Sequence, residues 1–436
     1  MPLHVQASPG DRLVARETAS IGDLRVMLLR FACSNFRSIK EKQEILFTAA
    51  KHVKEHDEAA RTVDGLSKER VLPVVALYGA NASGKSNMLK ALEFFQRGVL
   101  FSQFEWNSGI NRQPFLLDFA LKDQASSFEI DFLVGGVRYH YGFVCDDKAV
   151  LEEWLIATSK SGPRVWLHRD AEGTSQYRGK IRDQGQAIKK AGFERENVLA
   201  LTLLMQGKNS EMEGIHNFFS RKIDFNYPDQ ESDETLSLAY DEAIWSDVNK
   251  LLANADSGIE DIKIERTTST YFNVFDESKN STSYRQEPIF RHTMAKPDDY
   301  FKKNQESHGT IRLFNLSGPA LMALRTGSCL CIDELDASLH TMLSRAIIRL
   351  FMDPKTNPKG AQLLFTTHDT NLLSTDVLRR DQVWLTEKDK GGATHCYPLS
   401  DFKTKPTDDI EAGYLAGRFG AIPFLPPWRS LIGGEG

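Results

Sequence analysis

Three groups of polar residues stand at the ends of apolar runs, and together they could bind a phosphate chain and cleave a phosphoanhydride bond. The first is 79-GANASGKS-86, which follows VLPVVALY and precedes the helical pattern MLKALEFF. The second is the pair Asp333-Glu334 after 329-CLCI-332, and the third is His368 in 362-QLLFTTHD-369. Phosphoryl transfer needs a phosphate cradle, a carboxylate for Mg²⁺ and a group that activates water.

The stretch 79–86 fits the phosphate-binding loop (P-loop) pattern G-x-x-x-x-G-K-[ST] without departures. Two glycines let successive N–H groups point into one concavity, and the following helix adds its positive N-terminal end. Lys85 would reach the β- and γ-phosphates, and Ser86 would complete the Mg²⁺ shell. An ordinary Gly-Ser turn is the alternative. The predicted nucleotide-binding residues of the loop are Gly79, Ala80, Asn81, Ala82, Ser83, Gly84, Lys85, Ser86 and Asn87.

The acidic pair and the histidine supply the remaining chemistry. Asp333 at a strand end suits the Mg²⁺ site, and Glu334 is placed to polarise an attacking water. Acids at strand ends also occur without function, but the P-loop upstream favours the catalytic interpretation. A histidine after an apolar strand is often structural; in this chain order, His368 is predicted to contact the γ-phosphate.

The elements that position these residues belong to a chain with the composition of a soluble protein. Its 436 residues are too many for one compact core, and 41% are hydrophobic and 26% charged. The sequence contains no run of 18 or more apolar residues, so no membrane span is predicted. The five cysteines are odd in number and lack metal-ligand spacing, which indicates thiols in a reducing cytoplasm.

The pattern between the motifs predicts an insertion, because Lys85 and Asp333 lie 248 positions apart. Residues 127–146 alternate around Gly135-Gly136 and predict a β-hairpin. From about 180 to 255 the periodicity is helical, without the sustained heptads of a long coiled-coil arm. A strand follows at 259–267, and 267–285 is predicted as a loop or an exposed hairpin.

The motif order resembles the ABC class of ATPases, in the branch of chromosome-maintenance and DNA-repair ATPases, which 28-LLRFACSNFRSIKEKQEILF-47 also resembles. More closely, the chain is similar to bacterial AAA-type ATPases of abortive-infection and related phage-defence operons, short-arm relatives of the overcoming-lysogenisation nucleases. The similarity extends from about Met27 to Pro427 and is weak between 150 and 300. It is carried by GANASGKSN, ESHGTIRLFNLSGP, CIDELDASLH, LLFTTHDTNLL, RRDQVWLTEKD and GYLAGRFGAIPF.

The resemblance assigns roles residue by residue. Glu334 would be the catalytic base, and Lys85 and His368, the switch histidine, would be the other catalytic residues. Asp333 and Ser86 would bind Mg²⁺, and Asp336 would be the D-loop acid that contacts the nucleotide.

The stretch 306-ESHGT-310 would be the signature segment of such an ATPase. Ser307 and Gly309 would then contact the γ-phosphate bound by a partner subunit. His308 departs from the usual small or polar residue, and a helix cap is the alternative.

Three further residues keep open roles. Gln113 could link the nucleotide to the insertion, and Arg37 could contact the edge of the nucleotide. Arg418 could reach a phosphate or a partner subunit, or lie in a loop packed on the core.

The predicted fold class is α/β: an ABC-type P-loop core, with a mixed central sheet, flanking helices and an antiparallel β lobe, plus an inserted helical subdomain. Residues 1–26 are predicted as a disordered extension, unless the chain starts at Met27. Residues 27–175 and 301–436 form the two halves of the core, and 176–300 form the insert.

The function implied by the resemblance is Mg²⁺-dependent ATP binding and hydrolysis by a homodimer or higher oligomer in the cytoplasm. Since the sequence shows no second catalytic centre, we expect a switch for a separately encoded effector, in phage defence. The alternatives are a DNA-repair or maintenance ATPase acting on nucleic acid, and a scaffold that binds ATP and barely hydrolyses it. Basic residues cluster at Arg178, Lys180, Arg182, Lys189 and Lys190, either as a solvated helix face or as a nucleic-acid contact.

Overall fold

The computed structural model of the protein describes residues 26–66, 68–228, 234–255, 258–271, 281–405 and 408–422, with side chains left out between 267 and 285. The chain divides into two compact units. The larger comprises Arg25–Gln230 and Met322–Gly436, and the smaller contains Glu231–Leu321. Of the predicted extension 1–26, all but Val26 lies outside the described residues.

The strands and helices are named in chain order. The strands are β1 Val26–Ser34, β2 Gln43–Leu46, β3 Arg61–Thr62, β4 Arg70–Val71, β5 Val74–Gly79, β6 Ser126–Val134, β7 Val137–Cys145, β8 Val150–Ser159, β9 Gly162–Arg169, β10 Ser175–Tyr177, β11 Ile223–Asn226, β12 Ile259–Tyr271, β13 Ser281–His292, β14 Phe301–Lys302, β15 Cys329–Ile332, β16 Gln362–Thr367, β17 Val383–Lys388 and β18 Thr394–Pro398. The helices are α1 Lys85–Glu105, α2 Arg182–Lys190, α3 Ala200–Met205, α4 Ser210–Arg221, α5 Glu234–Ser237, α6 Glu242–Asn254, α7 His308–Thr326, α8 Thr341–Met352 and α9 Ile410–Leu415.

A six-stranded sheet of the larger unit, in the order β11-β15-β16-β5-β17-β18, carries the predicted motifs. Its strands are parallel except for β18. The strands β5, β15 and β16 are buried along their whole length, which explains their continuous apolar runs. Cys329 and Cys331 are buried on β15.

A seven-stranded antiparallel sheet, in the order β10-β9-β8-β7-β6-β1-β2, belongs to the same unit. Val134 pairs with Val137, so β6 and β7 are joined by the two-residue turn Gly135-Gly136. Both glycines have positive φ, 57° and 77°, as a tight hairpin turn requires. The predicted hairpin and antiparallel lobe are therefore confirmed, within a mixed α/β fold.

Helix α1 packs in a hydrophobic core to which both sheets contribute. Phe95 of α1 stacks on Phe143 of β7 with ring centroids 5.3 Å apart. Val75 and Leu77 of β5 belong to the same buried cluster. The core thus fixes α1, and with it the P-loop at its N-terminus, to both sheets.

The smaller unit contains α5, α6, the antiparallel strand pair β12–β13 extended by β14, and the first part of α7. Asp241 caps α6 by accepting hydrogen bonds from Ala243 N and Ile244 N. These bounds differ from the insert predicted over 176–300, because α2, α3 and α4 belong to the larger unit. Phe218 of α4 stacks on Phe132 of β6 at 4.4 Å, and β11 pairs with β15. Within the described part of the chain, none of the helices has the length and apolarity that crossing a membrane requires.

Candidate nucleotide-binding site

The P-loop leaves β5 at Gly79 and enters α1 at Lys85. Gly84 has φ 110°, and a Cβ at this position would lie 2.1 Å from Thr394 Oγ1. Both the backbone conformation and the close approach of β18 therefore require glycine at the second conserved position of the pattern.

Side chains of β17, β18 and the segment after β1 hold the loop in shape. Thr394 Oγ1 donates to Ser83 O at 2.7 Å, and Ser83 Oγ shares a hydrogen bond of 2.8 Å with Thr386 Oγ1. Asn87 Nδ2 donates to Ser38 Oγ at 2.7 Å, and that hydroxyl bonds Thr394 Oγ1 at 2.8 Å. The sequence analysis missed these hydroxyl groups, which arrive from distant segments.

Lys85 is buried beneath the loop that it completes. Its ammonium donates to Gly79 O at 2.8 Å and to Ala80 O at 3.1 Å, and it lies 3.3 Å from His368 Nδ1. The lysine and the histidine that the sequence places 283 residues apart therefore share one hydrogen bond.

Burial changes the pKa of both groups. It lowers the pKa of Lys85 from 10.5 to about 8, although the carboxylates of Asp333, Asp336 and Glu334 act in the opposite direction. Burial, together with the Lys85 charge, also lowers the pKa of His368. His368 is therefore neutral at pH 7, so Nδ1 can accept from Lys85 while Nε2 carries the proton.

One carboxylate oxygen of Asp333 accepts hydrogen bonds from both the P-loop and β16. Ser86 Oγ donates to Asp333 Oδ1 at 2.9 Å, and Thr366 Oγ1 donates to the same oxygen at 2.7 Å. Asp333 N in turn donates to Asn226 O at 2.9 Å on the neighbouring strand. Asp333 is thus held from both sides, and its position follows from the pairing of β15 with β11 and β16.

Glu334 adopts a left-handed backbone conformation, φ 51°, which is uncommon outside glycine. Its N–H donates to Thr366 Oγ1 at 2.7 Å, and Leu335 N donates to Thr366 O at 3.0 Å. These two bonds fix the turn after β15. Strained backbone held in this way is common at functional sites.

Asp336 and His368 are joined through the backbone, because His368 N donates to Asp336 Oδ2 at 3.2 Å. The larger unit therefore brings together the predicted residues Lys85, Ser86, Asp333, Glu334, Asp336 and His368.

Ser307 and Gly309 belong to the smaller unit. Ser307 Oγ accepts a hydrogen bond of 3.1 Å from Thr310 N, so it caps the start of α7. Capping was the alternative to the signature role for this segment, and contact with a partner's phosphate stays a prediction.

The residues with open roles also have defined surroundings. Arg37 N donates to Gln113 O at 2.6 Å, while Arg418 pairs with Asp408 at 3.2 Å. Near the C-terminus, Ala421 O accepts from Ala80 N at 3.0 Å, so the GRFGAI stretch contacts the P-loop directly.

The donor set suits Mg²⁺. The Ser86 hydroxyl and the Asp333 carboxylate are hard oxygen donors, and Mg²⁺ bound with a nucleotide takes few protein ligands beside phosphate oxygens and water. Among the residues described, no group of three His, Cys, Asp or Glu side chains forms an all-protein metal site. The residues present therefore fit a nucleotide-bound Mg²⁺ ion.

The chain matches a protein family and is similar to solved structures. A family described as "AAA domain, putative AbiEii toxin, Type IV TA system" matches residues 74–374. Two solved structures align at 14% identity over 85% of this chain: an SmcHead bound to the C-winged helix domain of ScpA, with TM-score 0.39 and 97% of that chain covered, and the SMC head domain from Thermotoga maritima, with TM-score 0.38 and 98% covered. Scores below 0.5 add nothing to the description of the fold. No curated protein matches the chain.

Proposed function

The chain belongs to the AAA-domain family whose description names the AbiEii toxin, and we propose that it binds and hydrolyses ATP with Mg²⁺ as a nucleotide-driven switch. One observation carries the proposal. Ser86 of the P-loop and Asp333 of the acidic pair share a hydrogen bond of 2.9 Å across 247 residues of sequence. A phosphate cradle and a carboxylate for the metal thus occupy one site.

Each side chain then has a chemical task. The Lys85 ammonium and the N–H groups at the start of α1 stabilise negative charge on the phosphates. Ser86 and Asp333 would hold Mg²⁺, which neutralises charge on the β- and γ-phosphate oxygens when bound. Glu334 orients the attacking water and accepts its proton.

His368 complements this set because it is neutral at pH 7. With Nδ1 accepting from Lys85, its Nε2–H is the donor available to a γ-phosphate oxygen. Asp336 holds the backbone of His368. A change at the phosphate is thereby transmitted to the turn that contains Asp336.

The switch acts on a separate effector, in a dimer that encloses two nucleotides. Ser307 and Gly309 at the start of α7 would contact the partner's γ-phosphate, since a helix N-terminus attracts anions. The family description names a putative AbiEii toxin and a type IV toxin–antitoxin system. The separately encoded effector and the role in phage defence are part of the proposal.

The test is Glu334→Gln, which keeps the side-chain shape and removes the base. We expect ATP turnover to fall by about 10²- to 10⁴-fold while nucleotide binding persists. We also expect the ATP-bound variant to elute as a dimer. The matched control, Glu58→Gln, changes an exposed carboxylate outside the site and should leave turnover unchanged. Turnover by Glu334→Gln equal to a substantial wild-type rate would refute Glu334 as the base, whereas negligible turnover by both proteins would favour the scaffold alternative.

A further inference from the structure

A basic cleft lies in the larger unit between β10 and α2. It has a volume of about 500 Å³, and its charged lining residues are Arg178, Arg182 and Lys189. Among the described residues, no aspartate or glutamate lines it. β10 is the last strand of its sheet, so the cleft occupies an edge.

The positions of these cations are fixed by the packing of α2 on β10. Arg182, Gln186 and Lys189 follow the spacing i, i+4, i+7 and therefore share one face of the helix. On the face toward the strand, a Cβ at Gly185 would lie 2.0 Å from the Tyr177 ring, so the contact admits no larger residue. Arg178 directly follows Tyr177 in the chain and lines the same cleft as Arg182 and Lys189.

The charges in this cleft lack acidic partners. Arg178 Nη2 donates to Gln176 Oε1 at 2.8 Å, and Lys189 Nζ lies 3.4 Å from Ser175 O. In the part of the chain that is described, Arg178, Arg182 and Lys189 form no ion pair, whereas the nearby Lys180 pairs with Glu211. Residues 175–192 contain five Lys or Arg and one Asp, a net charge of +4 in a chain of net charge −5.

We propose that this cleft binds the phosphodiester backbone of a nucleic acid without reading its sequence. Arginine, lysine and glutamine side chains are the usual phosphate contacts of such proteins. Base stacking needs an exposed aromatic ring, but Tyr177 is buried and donates its hydroxyl to Glu194. The chemistry present therefore recognises charge.

The dimensions agree with a nucleic-acid strand. Seven residues separate Arg182 from Lys189, about 10 Å along the helix axis. With phosphates rising about 3.4 Å per nucleotide, this length corresponds to roughly three phosphate-to-phosphate spacings. A lipid surface would need exposed apolar side chains in the cleft, and the aromatic lining residue, Tyr177, is buried. The exposed Phe193 follows α2 and lies outside the lining. This binding goes beyond the proposed ATPase and does not depend on it.

The experiment measures fluorescence anisotropy of labelled 20-nucleotide DNA, as duplex and as single strand, against the full-length protein without ATP at about 50 to 200 mM NaCl. The variant Arg182→Glu/Lys189→Glu removes two of the three cations that line the cleft. For the duplex, the slope of log K against log salt should change from about −2.7 to about −0.9. Affinity at about 50 mM NaCl should fall at least tenfold.

The control Lys160→Glu/Lys355→Glu makes the same change in net charge at exposed residues outside the cleft and should bind like wild type. The variant Arg182→Gln/Lys189→Gln removes the same two charges without adding acidic ones. Thermal melting shows whether this variant stays folded. Its binding should have the same reduced salt slope. Equal weakening of cleft and control variants, no binding by wild type, or preference for anionic vesicles over DNA would overturn the proposal. If the wild-type protein binds DNA but shows no ATP turnover, the proposed ATPase function is refuted and the nucleic-acid cleft is not.

Discussion

Thr366 is the residue at which a single hydroxyl supports both members of the acidic pair. It donates to Asp333 Oδ1 at 2.7 Å and accepts from Glu334 N at 2.7 Å, and it is completely buried. Thr366→Val keeps the β-branched shape on β16 and removes both bonds. The substitution therefore perturbs the position of the acids without changing either of them.

The expected magnitude follows from the two bonds. A hydrogen bond to a carboxylate contributes about 1.5–3 kcal/mol, and a neutral one about 1 kcal/mol. Since Asp333 keeps its bond from Ser86, the free energy of unfolding should fall by about 2–4 kcal/mol. Loss of a group that orients a metal ligand typically weakens metal binding about 10- to 100-fold. The Mg²⁺ concentration for half-maximal turnover should rise accordingly.

The assay combines urea denaturation with ATP turnover as a function of Mg²⁺ concentration. The neighbour Thr367 provides the matched control, because it is equally buried and its hydroxyl accepts from Asp369 N at 3.0 Å. Thr367→Val should lose about 1 kcal/mol and keep the wild-type Mg²⁺ requirement. If both variants lose the same stability and neither changes the Mg²⁺ requirement, Thr366 does not position the acidic pair.

Three further predictions concern other parts of the larger unit. The pKa of Lys85 is lowered to about 8, and phosphates bind its charged form, so ATP affinity should be about tenfold weaker at pH 9 than at pH 7; constant affinity in nucleotide titrations would contradict this. Gly84→Ala should abolish nucleotide binding, because its Cβ would collide with Thr394, and unchanged binding would show that the loop tolerates the shift. Phe218→Ala should lower the free energy of unfolding by about 3–5 kcal/mol through loss of the Phe132 stack, as urea denaturation can test; a change below about 1 kcal/mol would place α4 outside the core.

Local signals in the sequence predicted the parts of the site that are themselves local. The P-loop pattern determines the turn between β5 and α1, and an acidic pair after an apolar run predicts a strand end. The proximity of the P-loop to the acidic pair could be inferred only from the order of the motifs along the chain. Neither stretch by itself encodes the pairing of β5 with β16. The TT in LLFTTHD was the one signal for Thr366, namely two hydroxyl groups at the end of an apolar strand.

Other features were beyond the reach of periodicity. Thr386 and Thr394 support the P-loop from β17 and β18, and only the register of those strands places their hydroxyls beside Ser83. The helical pattern of α2 to α4 is the same whichever unit the helices join, so the boundary at residue 231 was not predictable. What decides it is the aromatic contact of α4 with the antiparallel sheet.

The order of the strands in the parallel sheet also constrains when the protein can first bind a nucleotide during its synthesis. β5 lies between β16 and β17, which the ribosome makes 283 or more residues later. At roughly 5–20 residues per second, a nascent chain waits about 15 to 60 s with its glycine loop exposed before a neighbouring strand emerges. A polypeptide interrupted before residue 362 therefore lacks both β16 and β17, the strands that flank β5.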